Sequence, residues 1–192
     1  MSGLLVIISA PSGTGKTTVC KKLLETNNGF EFSVSCTTRS PRPGEVNGRE
    51  YYFLTRDEFE KKIKRGEFAE WEEIFHNYYG TLKSALEKAI RDGKILLLDV
   101  DVKGGLNIRK FYPENSVSIF LLPPSEEELD RRLRSRGTDN EDSLRMRKKR
   151  AHQELKLGEQ YDYKIVNDRL DETVNKVLEI IEEVKKNGSR HY

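Results

Sequence analysis

Apolar positions along the chain fall into two patterns. Leu4-Leu5-Val6-Ile7-Ile8, Ile95-Leu96-Leu97-Leu98, Val117 to Leu122 and Tyr163 to Val166 are short continuous runs, the mark of strands covered on both faces. Between them apolar residues recur at helical spacing. They do so within Thr17 to Glu25, at Leu82, Ala85, Leu86, Ala89 and Ile90 before Gly93, and at Leu170, Val174, Val177, Ile181 and Val184. Ser125-Glu126-Glu127-Glu128 reads as a capping box opening a further helix. Buried strands alternating with amphipathic helices predict an α/β fold, a mostly parallel sheet with helices on both faces.

Two stretches depart from that alternation. Residues 32–82 carry extended pieces (Phe32 to Thr38, Glu50 to Leu54), a Pro-rich turn and a short helix opened by Thr55-Arg56-Asp57-Glu58. They predict a small inserted lobe with its own strands. Residues 126–150 are helical in pattern but dense in arginine (Arg131, Arg132, Arg134, Arg136, Arg145, Arg147, Arg150). That composition suits a solvated helical hairpin or a flap over something anionic.

Composition narrows the classes. With 192 residues the chain is expected to form one lobed domain. Lys and Arg total 34 against 32 Asp and Glu, so the net charge of +2 offers no global field for nucleic acid. Mean hydropathy is −0.72, and apolar runs of about five residues are far short of the ~18 of a membrane span. No signal-peptide pattern opens the chain, so a cytoplasmic location is expected. Cys20 and Cys36 have no metal or redox spacing and read as small buried thiols. His76, His152 and His191 are too scattered to suggest a metal site.

The chemistry concentrates in three places. Ser9-Ala10-Pro11-Ser12-Gly13-Thr14-Gly15-Lys16-Thr17-Thr18 lies between the first strand and the first helix and matches the phosphate-loop pattern, with Ala10 at the first Gly position. Glycines let successive N–H groups turn toward phosphate oxygens, and the helix N-terminus adds positive potential. Lys16 would reach the β and γ phosphates and Thr17 would bind Mg²⁺. Asp99 and Asp101 close the run at Ile95, where ligands of parallel sheets gather, either holding metal through water, meeting a second substrate or capping the next turn. Arg39 and Arg42, three residues apart in a loop stiffened by Pro41 and Pro43, suit bidentate capture of a phosphate monoester.

These residues resemble the guanylate kinase family over nearly the whole chain. The resemblance rests on the phosphate loop, SCTTRSPRPGEVNG (35–48), YYF (51–53), GEFAEW (66–71), NYYGT (77–81), LLLDVD (96–101), PPSEEELDRRLRSRG (123–137) and IVND (165–168). It implies a phosphate-loop NTPase-type three-layer α/β/α core with a mostly parallel five-stranded sheet (about 1–34, 83–125 and 151–186). An inserted α+β GMP-binding lobe (about 35–82) and a helical lid (about 126–150) complete it, with 187–192 as a frayed tail.

The implied activity is transfer of the γ-phosphoryl of MgATP to GMP, and to dGMP, giving ADP and GDP. By resemblance, Arg39, Arg42, Tyr51 and Tyr79 hold the GMP phosphate. Glu70 reads guanine N1–H and the 2-amino group, with Ser35, Thr81 and Asp101 completing the base contacts. Ala10 to Thr18, Arg132, Arg136, Asn167 and Asp168 bind ATP; Lys16, Arg39, Arg42, Arg132, Arg136 and Arg147 neutralise the transferred phosphoryl. Thr17 and, through water, Asp99 hold Mg²⁺. Thr81 departs from the family's frequent Ser but keeps the hydroxyl.

The implied partners are the two nucleotides, with no nucleic acid and no membrane; monomer and homodimer both remain open. An inactive phosphopeptide-binding relative would have lost parts of the phosphate loop, whereas Gly13, Gly15, Lys16 and Thr17 all stand. A kinase for a sugar phosphate would have no need of Glu70 together with NYYGT.

Overall fold

A continuous apolar run can sit mid-sheet only where both faces are covered, and β1 (Leu4–Ser9) is buried at every residue. The computed structural model describes residues 2–26, 29–74, 76–134 and 141–188. β7 (Ile95–Asp99) and β8 (Ser116–Leu122) flank β1 in parallel. β2 (Phe30–Phe32) lies outside β7 and β9 (Tyr163–Val166) outside β8, giving an all-parallel order β2-β7-β1-β8-β9.

Alternate residues of β1 feed opposite layers. Val6 and Ile8 pack with Val19 and Leu23 of α1 (Lys16–Thr26) and with Val177 and Ile181 of α7 (Leu170–Gly188). Leu5 and Ile7 pack with Leu86 of α3 (Lys83–Arg91), Ile108 of α4 (Val102–Phe111) and Phe120. The expected three layers are present, and the helical stripe ending in Val184 is the buried face of α7. Of the expected frayed tail, residues 187 and 188 end α7, and 189–192 lie outside the described residues.

The extended stretch at Phe32 to Thr38 divides between two sheets. Phe32 ends β2, the Ser33 N–H still donates to the Leu97 carbonyl at 2.9 Å, and β3 (Cys36–Thr37) then joins a second sheet. That sheet has the order β4-β3-β6-β5, with β4 (Tyr52–Phe53), β5 (Phe68–Ile74) and β6 (Asn77–Leu82). β3 pairs parallel to β4 and antiparallel to β6. α2 (Arg56–Lys64) closes over it, opened by a complete Thr55–Glu58 capping box. Phe59 of α2 stacks on Phe68 at 4.3 Å and on Tyr78 at 5.2 Å between ring centroids, and Cys36 completes this small core.

The arginine-rich stretch forms α5 (Glu126–Arg134) and α6 (Glu141–Gly158), which runs unbroken past residue 150. Its apolar stripe is short, with Leu129 and Leu133 meeting Ala151 and Leu155. Only half of the expected Ser125 capping box forms. Ser125 Oγ accepts the Glu128 N–H at 3.2 Å, but the Glu128 carboxylate turns to Arg131 and Arg132 instead. A guanidinium outcompetes a backbone N–H because the pair is charged on both sides. Cys20 and Cys36 are buried free thiols; burial pushes both thiol pKa values up, that of Cys36 to about 11.

Phe59 is fully buried in the small lobe. Phe59→Ala should therefore lower stability by about 3 kcal/mol, read from urea unfolding monitored by Trp71 fluorescence. An unchanged midpoint would show that the lobe does not depend on this ring stack.

Candidate functional site

The turn from β1 into α1 reverses tightly. Gly13 and Gly15 adopt φ of +91° and +92°, a region open to Gly at no steric cost. A Cβ on Gly15 would also fall 2.9 Å from Asn167 Nδ2. The Thr14 N–H donates to the Pro11 carbonyl at 3.2 Å. The Thr14 carbonyl in turn accepts from Asn167 Nδ2 at 2.6 Å and Arg132 Nη1 at 3.4 Å. Three distant segments, the loop, the β9 end and α5, thus meet at one oxygen.

β1 and β7 run in register with Ile8 beside Asp99, so the loop and this carboxylate emerge side by side. Lys16 Nζ lies 2.8 Å from Asp99 Oδ1 and donates to the Val100 carbonyl at 2.7 Å. Thr17 Oγ1 donates to Asp99 Oδ2 at 3.0 Å. Burial disfavours the Lys16 ammonium, but Asp99 outweighs it and raises the pKa above the ordinary lysine value. Asp99 and Asp101 part company here. Asp101 caps α4, its Oδ1 accepting the N–H groups of Lys103 at 2.9 Å and Gly104 at 3.2 Å.

Across from the loop, Glu70 of β5 is only 7% exposed. Its Oε1 accepts the Thr81 hydroxyl at 2.6 Å. Its Oε2 and Asp101 Oδ2 converge on the bare Cα of Gly104, where a Cβ would stand 2.6 and 3.0 Å away. Burial first, then Asp101 and Glu72, push the Glu70 carboxyl up to about 7 against the pull of Thr81.

The Pro-stiffened loop presents Arg39 as a fork. Its Nη1 and Nη2 donate to Glu45 Oε2 and Oε1 at 3.0 and 2.8 Å, and Nη1 also donates to the Ser40 carbonyl. The Arg42 N–H donates to the same carboxylate at 2.7 Å, while its side chain is exposed. Arg39 lies over the Tyr51 ring at 5.5 Å, and Tyr51 meets Tyr79 edge-on at 6.0 Å. Burial raises the Tyr51 phenol, with Asp99, Tyr79, Lys16 and Arg39 all within electrostatic reach of it.

Most residues expected at a site converge, then, into a phosphate-loop group (Lys16, Thr17, Asp99), a lid contact (Thr14, Arg132, Asn167), an anion fork (Arg39, Tyr51, Tyr79) and a buried acceptor (Glu70, Thr81, Asp101). Ala10 and Pro11 are buried, Ser12 half-buried, and the Thr18 N–H donates to the Gly15 carbonyl. Ser35 offers its carbonyl to the Tyr52 N–H. Arg147 is half-buried on α6 and Asp168 is exposed. Arg136 lies outside the described residues.

Three participants were not singled out from sequence: Glu45, Gly104 and the Val100 carbonyl. Glu45, three residues after Arg42, carried a readable signal as a partner for the fork. Among the described residues no cluster of three acidic, His or Cys side chains could cage a metal. The Thr17 and Asp99 oxygens are instead the sparse hard set that suits Mg²⁺ sharing its shell with phosphates and water.

Comparison with known proteins gives one consistent result. The guanylate kinase family model matches residues 2–184. The guanylate kinase of Clostridium tetani is 49% identical over 93% of this chain and 85% of its own, and that of Rickettsia felis 46% over 93% of each. The crystal structure of guanylate kinase from Anaplasma phagocytophilum superposes with a TM-score of 0.78 at 37% identity, covering 95% of this chain and 86% of that one.

Because the folded chain holds the Glu70 proton more tightly than the unfolded chain, stability contributed by this group is present below about pH 4.5 and lost as pH rises through about 7. Glu70→Gln should abolish that loss, so the variant gains on the parent between about pH 5 and about pH 8 in urea unfolding. Parallel pH profiles would show that Glu70 titrates normally.

Proposed function

The chain belongs to the guanylate kinase family and transfers the γ-phosphoryl of ATP to GMP, giving ADP and GDP; from that premise we propose how its residues divide the work. The phosphate loop, Ala10 to Thr18, wraps the ATP phosphates with its N–H groups, and Lys16 leaves Asp99 to follow the β and γ oxygens. Arg132, Arg136 and Arg147 approach from the lid, and Asn167 and Asp168 border the adenine. Thr17, with Asp99 through water, would hold Mg²⁺, which supplies charge neutralisation at the phosphates.

Arg39, Arg42, Tyr51 and Tyr79 grip the phosphate of GMP. Glu70, ionised, accepts from guanine N1–H and the 2-amino group, flanked by Ser35, Thr81 and Asp101. Adenine has an acceptor at N1 and no 2-amino group, so it would leave a buried carboxylate unpaired. A site of this kind discriminates by ~10⁴ or more. The two buried free cysteines suit a reducing cytoplasm, and no helix among the described residues is long and apolar enough to cross a membrane.

The observation that carries this reading is Tyr51. It touches the anion fork through Arg39 and Tyr79, and it feels Lys16 and Asp99 across the cleft. A monoester held there faces a triphosphate held at the loop. The acceptor is already an anionic oxygen, so no general base is needed. That oxygen bonds to the γ-phosphorus as the bond to the β,γ-bridging oxygen breaks, and the electron pair leaves with ADP. Catalysis is positioning plus cancellation of charge between two anions. Glu45 tightens the fork by accepting from both Arg39 nitrogens and from the Arg42 N–H.

Lys16→Ala should cut kcat by about 10²- to 10³-fold with the fold retained by circular dichroism; near-normal turnover would remove the loop from the mechanism. Glu70→Ala should raise KM for GMP and narrow the preference over AMP, measured by coupled ADP release with each acceptor. A preference left intact would refute its role.

A further inference from the structure

Behind the base acceptor lies a second charged layer that the reaction as derived does not use. Glu72, two residues along β5, is half-buried and sits within hydrogen-bond reach of Asp101, so that burial and then Asp101 raise its pKa. Arg150 of α6 reaches across to it, Nη2 to Glu72 Oε2 at 3.0 Å, while its Nε donates to Glu154 Oε1 at 2.7 Å. These groups border one cavity of about 380 Å³ between α4, β5 and α6, together with Lys103 and Lys149.

We propose that Arg150 is a positioning residue for guanine selection, which offsets Glu72 from the lid helix and so keeps the carboxylates behind Glu70 from competing with it. The proposal rests on Glu70 as the base acceptor. The charged and titratable groups around that acceptor and Glu72 are Asp101 and Lys103 at the start of α4, Arg150, Glu154 and Lys149 on α6, and Tyr161 before β9. β6 contributes Thr81, which does not titrate, and Tyr79, which stands cross-strand from Glu72.

Glu70, Glu72 and Asp101 share a low-dielectric corner, and like charges there favour proton uptake. Arg150 pairs directly with this cluster through Glu72. Removing it leaves Glu72 pressing on Glu70, and a protonated Glu70 cannot accept from both guanine donors.

The test is the pH dependence of kcat/KM for GMP. Its acid limb in Arg150→Gln should move up by about one pH unit, a loss of about tenfold on the acid side. The kcat at saturating GMP and the KM for ATP should hold, and Arg150→Lys should restore most of the limb. Glu72→Gln should move the limb down, and the double variant should return near the parent. Ionisation of the GMP phosphate is common to all variants and drops out of the differences. An unmoved limb in Arg150→Gln, an unmoved limb in Glu72→Gln, or a double variant that stays with Arg150→Gln would overturn the proposal. Full retention of GMP preference by Glu70→Ala would instead remove the base-acceptor reading beneath it.

Discussion

The register of β1 against β7 decides where chemistry can occur in this protein. With Ile8 beside Asp99, the phosphate loop and a carboxylate leave the sheet at the same height, and Asp99 binds Lys16 and Thr17 through its two oxygens. A shift of one residue would turn Asp99 into the other layer, since neighbouring residues on a strand face opposite ways. The apolar pairs below, Leu5 with Leu96 and Ile7 with Leu98, hold that register by burial rather than by polar contact. Core packing therefore positions the loop before any ligand contact is made.

The same economy governs the small lobe. Its sheet carries Glu70 and Tyr79 on strands anchored by one aromatic stack, and its first connection leaves β2 directly. A net charge of +2 conceals strong local segregation. Carboxylates gather around Gly104, where Glu70 and Asp101 meet, and guanidinium groups on the Pro-stiffened loop and α5, with Glu45 and Glu128 holding arginines in place.

Much of this was legible in the sequence because continuous apolar runs have few alternatives. Tyr163 to Val166 matches β9 at both ends, and Thr55 to Glu58 forms the full cap that its residues imply. What stayed hidden depends on contacts between remote segments. Nothing local tells Asp99 from Asp101, yet β7 gives one to Lys16 and α4 takes the other as its cap. Gly104 carries no local mark of its role, because Glu70, which lies against its Cα, comes from another sheet. Ser125 and Glu128 have the right spacing for a reciprocal cap, and only the arginines one turn on explain why half of it is missing. The Val100 carbonyl as a lysine acceptor is a backbone feature with no residue signature.

Both native thiols are locked inside the molecule, one on the back of α1 and one beneath the small sheet, and burial keeps them in the unreactive SH form. Neither thiol is thus presented to alkylating dyes in the folded chain. A cysteine placed on any exposed position becomes its sole handle, so spectroscopic probes could be attached to α2 and α6 to follow distances during turnover without first stripping the natural sulfur atoms.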